Sequence, residues 1–464
     1  MKITGIITEF NPFHNGHEYI LSQARKQTGC DLVVVAMSGD FVQRGAPAII
    51  DKAVRTKAAL LGGADLVVEL PVIASTASAS DFALGGVAAL AACGVDTLVF
   101  GCEQEDFDLF PVLAEFLENE PSDYRDVLSG FLKEGCSYPL ARAKALERFF
   151  PGVDNLGELL VAPNNILALE YLRAIKRLGV PMKVCPIKRI AVGHHSKEGV
   201  GEFASATMIR EGLLRMHQPA TVLPVGHQPA DLSADDPAET TGRQTDLSCF
   251  IPNYAMQLLS DYLAMNQPLC EDDFSEALCY RLVQLKCKSE ITYPSSDALY
   301  PSVFTDNPAV TGHFSFLDGS QDLFDRIFNR LDEFTCLSEF CKLLHTKDCT
   351  LSRLKRLMFH ILLDITEDQM VLFREKPCSY IRVLGFRKDT PAIAMLKQYT
   401  QTQQIPVILS VAEASRQLEN NVFFHQDLFT RELYIKTLTQ KDYHNKKAAC
   451  TPLLSDYRQP LIVV

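Results

Sequence analysis

Apolar residues in the first hundred positions follow two alternating spacings. Ile3–Ile7, Leu32–Ala36 (LVVVA), Leu66–Leu70 (LVVEL) and Thr97–Phe100 (TLVF) are short apolar runs rich in β-branched residues, and they read as buried strands. Between them, Glu18–Lys26, Lys52–Leu61 and Phe82–Ala92 carry helical spacing. Gly62-Gly63 and Gly94 follow the last two as helix stops. Regular strand–helix alternation predicts an α/β fold, a Rossmann-like doubly wound parallel sheet. Such sheets bind ligands at the carboxyl ends of their strands.

Beyond this unit, residues 107–179 read as mostly helical, 184–190 as a short strand and 204–215 as a helix with Ser205 near its start. Residues 219–248 are rich in Pro, Ala, Asp and Thr without periodicity, which predicts a flexible linker or insertion. Helical patterns return after Phe250, notably at 323–331 and 351–363, and a last α/β-like piece from Tyr380 carries the strand-like runs YIRVLGF and PVILS. The expected organisation is an α/β domain over 1–215, a linker or insertion over 216–249 and a mainly helical C-terminal domain over 250–464.

Composition narrows the class. At 464 residues and 47% hydrophobic, the chain can fill large cores. No apolar run is long enough for a membrane span, and the polar break after Ile7 comes too early for a signal peptide, so a cytoplasmic protein is expected. A formal charge of −12 argues against blanket nucleic-acid binding and confines any RNA contact to a local patch. Fourteen irregularly spaced cysteines without a C-x-x-C pair read as reduced thiols. His194-His195, the one adjacent histidine pair, lacks cysteine partners, so no protein-held metal site is expected.

Candidate chemistry concentrates in Thr8-Glu9-Phe10-Asn11-Pro12-Phe13-His14-Asn15-Gly16-His17, between the first strand and the first helix. His14 and His17 share one face of the first helical turn, where backbone N–H groups and the helix dipole favour an anion. Pro12 stiffens the loop, and Gly16 lets a base or ribose approach the backbone. Two imidazoles there suit phosphate oxygens whose charge redistributes during phosphoryl-type transfer.

This H-x-G-H stretch resembles the nucleotidyltransferase superfamily that includes class I aminoacyl-tRNA synthetases, whose members direct attack at the α-phosphate of ATP. Ser205-Ala206-Thr207-Met208-Ile209-Arg210 is similar to the second signature of that superfamily. Small-molecule members have a Thr or Ser where this chain has Glu9. Together with Ser38-Gly39-Asp40-Phe41-Val42-Gln43-Arg44-Gly45, Glu69-Leu70-Pro71 and Leu98-Val99-Phe100-Gly101, that departure resembles the bacterial tRNA(Met) cytidine acetate ligases. The resemblance implies ATP, with Mg2+, and acetate as reactants. Acetyl-adenylate would form, and the acetyl group would pass to N4 of the wobble cytidine of elongator tRNA(Met). No protein partner is implied.

Carried over residue by residue, the resemblance implies an ATP loop of Ile7, Thr8, Glu9, Phe10, Asn11, Pro12, Phe13, His14, Asn15, Gly16, His17, Glu18, Tyr19 and Ile20. Gly101, Asn164, Arg189, Ser205, Thr207 and Arg210 join it. Each has a plainer reading: Gly101 as a strand-end turn, Asn164 as a helix cap, Arg189 as a surface side chain. His14 and His17 are the expected catalytic pair. Asp40 and Arg44 follow the second strand's carboxyl end and are further catalytic candidates, Asp40 toward the cytidine amine or a metal and Arg44 toward a carboxylate or phosphate. Lys52 and Arg55 pair with acidic neighbours or contact RNA. In 350–363 (TLSRLKRLMFHILL), Arg353, Arg356 and His360 share a face with Lys355 nearby, a solvated face by itself, which the resemblance implies meets tRNA through Arg353, Lys355 and Arg356. Two other functions fit the N-terminal motifs: a small-molecule nucleotidyltransferase, and a non-catalytic ATP-sensing RNA-binding protein.

Overall fold

The computed structural model describes residues 1–103, 107–136, 138–153, 156–189, 203–217, 246–290, 314–445 and 453–464. Its strands are β1 (Ile3–Thr8), β2 (Leu32–Ser38), β3 (Phe41–Val42), β4 (Ala46–Pro47), β5 (Leu66–Leu70), β6 (Thr97–Cys102), β7 (Lys183–Lys188), β8 (Ile381–Phe386), β9 (Val407–Ile408) and β10 (Ile462–Val463). The main sheet runs β10-β8-β5-β2-β1-β6-β7, with β9 beside β8. β1 is central and parallel to both neighbours, with Ile6 opposite Val35 and Val99.

Strand side chains alternate between two cores, as the two-residue repeat of a strand requires. Ile6, Val33, Val35, Val67 and Val99 face one core, which contains Leu21 and Ala24 of helix Asn15–Thr28 and Ala58–Leu60 of helix Lys52–Leu61. Ile7, Val34, Ala36, Val68 and Leu98 face the other, with Phe82 and Leu90 of helix Ala79–Ala92 and Leu169 of helix Pro163–Leu178. Both faces of β2 are therefore covered, and all of its residues are buried. This is the doubly wound arrangement that the sequence predicts, and the helices expected between 107 and 179 are present as Leu109–Asn119, Ser122–Lys133, Tyr138–Phe149, Leu156–Val161 and Pro163–Leu178.

The C-terminal segment departs from the expected separate domain. β8 adds antiparallel to β5, with an irregularity between Val67 and Val68, and β9 and β10 lie parallel to β8. The sheet is thus mixed at this edge. Phe41 of the N-terminal unit packs on Phe274, Phe359 and Tyr434 with ring centroids 5.2–6.3 Å apart. One core runs through both halves, so packing draws no boundary near residue 250. The described residues after 246 are otherwise mainly helical, the longest helix being Val422–His444. Most of the expected linker, 218–245, lies outside the described residues, as does His194-His195. Among the described residues no helix is long and apolar enough to cross a membrane.

Candidate active site

The site forms where β1 ends. His14 is the N-cap of helix Asn15–Thr28 and His17 its third residue. His14 Nδ1 accepts from Gly16 N at 3.1 Å, and His17 Nδ1 accepts from His14 N at 3.3 Å. The rings stack with centroids 3.7 Å apart. This reciprocal cap satisfies backbone donors that a helix start leaves open. It also fixes the protons. Burial and the nearby Arg189 and Arg210 push His14 down to about 3, and burial with His14 beside it lowers His17 well below the ordinary value. Both rings are neutral at pH 7, and with Nδ1 accepting, each carries its proton on Nε2. Gly16 is needed for a reason additional to ligand access, since a Cβ there would lie 2.9 Å from His14 Cε1.

A cleft opens beside this pair. Ile7, Thr8, His14, Gly16, His17, Tyr19 and Ile20 line one side, and Gly101, Asn164, Arg189 and Ser205 the other. The rest of its lining is apolar and aromatic, from Phe100 of the Leu98–Gly101 motif and from Leu167, Tyr171, Ile187 and Phe203, which no motif singles out. Tyr171 belongs to an ordinary amphipathic helix face, and only proximity in the fold marks it. A lining that combines aromatic and aliphatic side chains with polar donors suits a nucleotide, the base against the aromatic residues and the phosphates toward the histidines.

The distant residues expected at the site converge there. Asn164 is not a cap: it is the second residue of its helix, donates Nδ2 to Glu103 Oε1 and accepts from Arg189 Nη1, both at 2.7 Å. Arg189 lies across Gly101, whose missing Cβ leaves room for its stem. Ser205 caps helix Ala206–Met216 by accepting from Met208 N at 3.1 Å, so that helix start also opens on the cleft. Thr207 and Arg210 stand one step behind. Arg210 Nη1 donates to Asn11 O at 2.8 Å and bolts the second signature to the histidine loop. Burial and the neighbouring Arg44 lower its pKa to about 10, and it stays charged at pH 7.

The rest of the loop supports rather than lines the cleft. Phe10 has a left-handed φ of 46°, unusual for an aromatic residue, and is held there by packing on Phe13 and His17. The Asn11–Pro12 peptide is cis. Asn11 Oδ1 accepts from Ile49 N at 2.8 Å, Asn15 donates to Cys249 O at 2.9 Å, and Glu18 accepts from Tyr254 at 2.9 Å. Glu9 Oε1 accepts from Gln43 N at 3.1 Å.

Other sequence candidates are placed elsewhere. Asp40 is 3% exposed and bound to Lys52 at 3.0 Å and Arg431 at 2.9 Å. It belongs to a buried ion network with Asp51, Glu69, Arg382 and Asp456, not to the cleft. Lys52 takes the acidic-partner reading. Arg55 is fully buried and donates to Glu9 O at 2.8 Å, Ser38 O at 2.9 Å, and Gly39 O, tying strand-end carbonyls together. Neither is free to meet RNA. The helix expected to carry a basic RNA face, Leu351–Leu363, has its charges committed internally. Arg356 pairs with Asp318 at 2.8 Å, Arg353 donates to Asp318 O at 3.0 Å, Lys355 pairs with Glu271, and His360 is fully buried.

With this geometry in place, comparison with known proteins is decisive. A family model described as HIGH Nucleotidyl Transferase matches residues 1–297 and 310–449. A tRNA(Met) cytidine acetate ligase of Thermoanaerobacter sp. (strain X514) is 33% identical over 95% of this chain and 96% of its own length. The chain belongs to this ligase family. A Clostridium perfringens member is 32% identical over 91% of this chain and 93% of its own length. Two crystal structures of the family's Thermotoga maritima TmcAL match the whole of both chains at 25% identity. The TM-scores are 0.80 for the apo form and 0.77 for the form bound with alpha-thio ATP.

Proposed function

We propose that the chain is an ATP-dependent tRNA(Met) cytidine acetate ligase. The observation that carries this reading is the meeting of both signatures on one cleft: the neutral Nε2–H donors of His14 and His17 face the same space as the Ser205 helix start. Relatives of the same name span almost the whole chain, and a relative's crystal structure holds an ATP analogue.

In the reaction, an acetate oxygen attacks the α-phosphorus of ATP and pyrophosphate leaves. The N4 amine of the wobble cytidine in elongator tRNA(Met) then attacks the acyl carbon, and AMP leaves. His14 and His17 donate to phosphate oxygens as charge builds on them, and being neutral they act as hydrogen-bond donors through Nε2–H and not as general acids. Arg189, held by Asn164, adds a fixed cation at the rim. Mg2+ enters with the nucleotide: it prefers phosphate and water oxygens, and among the described residues no group of three His, Cys, Asp or Glu side chains could hold it as a resident ion. A tRNA substrate and ATP support a cytoplasmic setting. Pyrophosphate release that requires acetate, with AMP release that requires both acetate and tRNA, is the expected result. Pyrophosphate release with a small phosphorylated acceptor and no tRNA would favour a small-molecule nucleotidyltransferase instead.

A further inference from the structure

We propose that Arg44, with Thr207, Arg210 and Glu9 around it, forms the subsite for the carboxylate of the acid that is activated, and that Glu9 tunes this subsite to a single negative charge. The inference rests on the ligase reading and gives Glu9, Thr207 and Arg210, which the resemblance groups with the ATP residues, a role toward the carboxylate.

Arg44 lies in the turn between β3 and β4, which presses on the backbone of Lys355 and Arg356 through Gly45. Its Nη1 donates to Thr207 Oγ1 at 3.3 Å, and Arg210 Nη2 donates to the same oxygen at 3.0 Å. A hydroxyl oxygen has two acceptor positions, and two guanidinium groups fill both. The Thr207 hydrogen is therefore left to be donated outward. Arg44 Nε is buried and has no acceptor within the described residues. Arg44 Nε and the Thr207 hydroxyl hydrogen are thus the donors left over beside two guanidinium groups, an arrangement that a small oxyanion satisfies.

Charge selects the oxyanion. The two guanidinium groups are offset by Glu9, which is pinned through Oε1 to Gln43 N, next to Arg44. Glu271 and Glu211, which also act on Arg210, are themselves paired with Lys355 and Arg215, so the remainder is one positive charge, which matches a monocarboxylate and disfavours a polyphosphate. The phosphates have their own donors at His14, His17 and Ser205 in the adjoining cleft, and Arg210, which grips Asn11 O, is near enough to His14 to lower its pKa. Held by Arg44, the carboxylate forms one new oxygen–phosphorus bond at the α-phosphate. The bond to the pyrophosphate oxygen breaks, that oxygen keeps the electron pair, and no proton moves.

The test is acetate-driven exchange of labelled pyrophosphate into ATP by the full chain. Arg44→Met is expected to raise the acetate KM about tenfold or more, the scale of one lost charge-assisted contact, with the ATP KM within about twofold. Arg44→Lys, which keeps the charge but loses the fork, is expected to raise it less. Glu9→Gln is expected to make inorganic phosphate a stronger competitor of acetate. An acetate KM unchanged in both Arg44 variants, with wild-type exchange intact, overturns the subsite and leaves the ligase reading standing. Wild-type protein with no acetate-dependent exchange overturns both.

Discussion

At the scale of single residues, the two imidazoles carry opposite duties at their two nitrogens. Nδ1 closes the helix cap and Nε2 faces the cleft. Replacing either ring by alanine removes one preorganised donor, which costs about 2–4 kcal/mol of transition-state stabilisation. His14→Ala and His17→Ala are each expected to slow adenylate formation by about two orders of magnitude or more, read as acetate-dependent pyrophosphate exchange. Their depressed pKa values also set a pH dependence. Between the unfolded value of 6.5 and the folded value of about 3 for His14, the unfolded chain binds a proton that the folded chain refuses. Stability therefore falls as pH drops through 6.5. Tm measured from pH 7.5 to 5 should fall less in His14→Gln/His17→Gln than in wild type; equal slopes would refute neutral buried rings. The histidines were legible in the sequence because a strand, a short loop and a helix start are all local. Asp40 was not, because its partner Arg431 is 391 residues away and nothing local distinguishes a catalytic carboxylate from one in an ion network.

At the scale of elements, short connections set the site. The β3–β4 turn carries Arg44, and Gly45 within it has φ 70° with the Lys355–Arg356 backbone where a Cβ would be. A left-handed φ costs an ordinary residue about 1–2 kcal/mol, and a backbone neighbour cannot yield as a side chain would. Gly45→Ala is expected to lower stability by at least about 2 kcal/mol in urea unfolding, with loss of acetate-driven exchange beyond what the stability change explains. The helix Leu351–Leu363 illustrates the limit of pattern reading. Its bounds and apolar face followed from spacing alone, and Leu354, Leu357, Met358 and Ile361 are buried as that face requires. The use of its basic side did not follow, because Asp318 and Glu271, which neutralise it, come from distant segments.

At the scale of the whole molecule, the C-terminal half is part of the nucleotide-binding unit's construction. β8 joins the sheet through β5, and Arg431 reaches Asp51 at 2.7 Å as well as Asp40. Apolar runs such as 381–386 identify a strand, but nothing in such a run names its partner, so the antiparallel edge could not be read from the chain. Removing one partner of a buried ion pair leaves uncompensated charge and costs about 3–5 kcal/mol. Arg431→Met is therefore expected to lower Tm strongly, and exchange measured well below the new Tm should recover most of its rate, since this network lies outside the cleft. A selective loss of ATP binding at full stability would instead assign the network a direct role.

The most direct test of the ligase account is mass analysis of nucleosides from tRNA incubated with the protein, ATP and isotopically labelled acetate. The account predicts one labelled acetyl group on cytidine in elongator tRNA(Met), dependent on ATP and abolished in His14→Ala/His17→Ala. Acetate-independent ATP turnover with no label in the tRNA would contradict it.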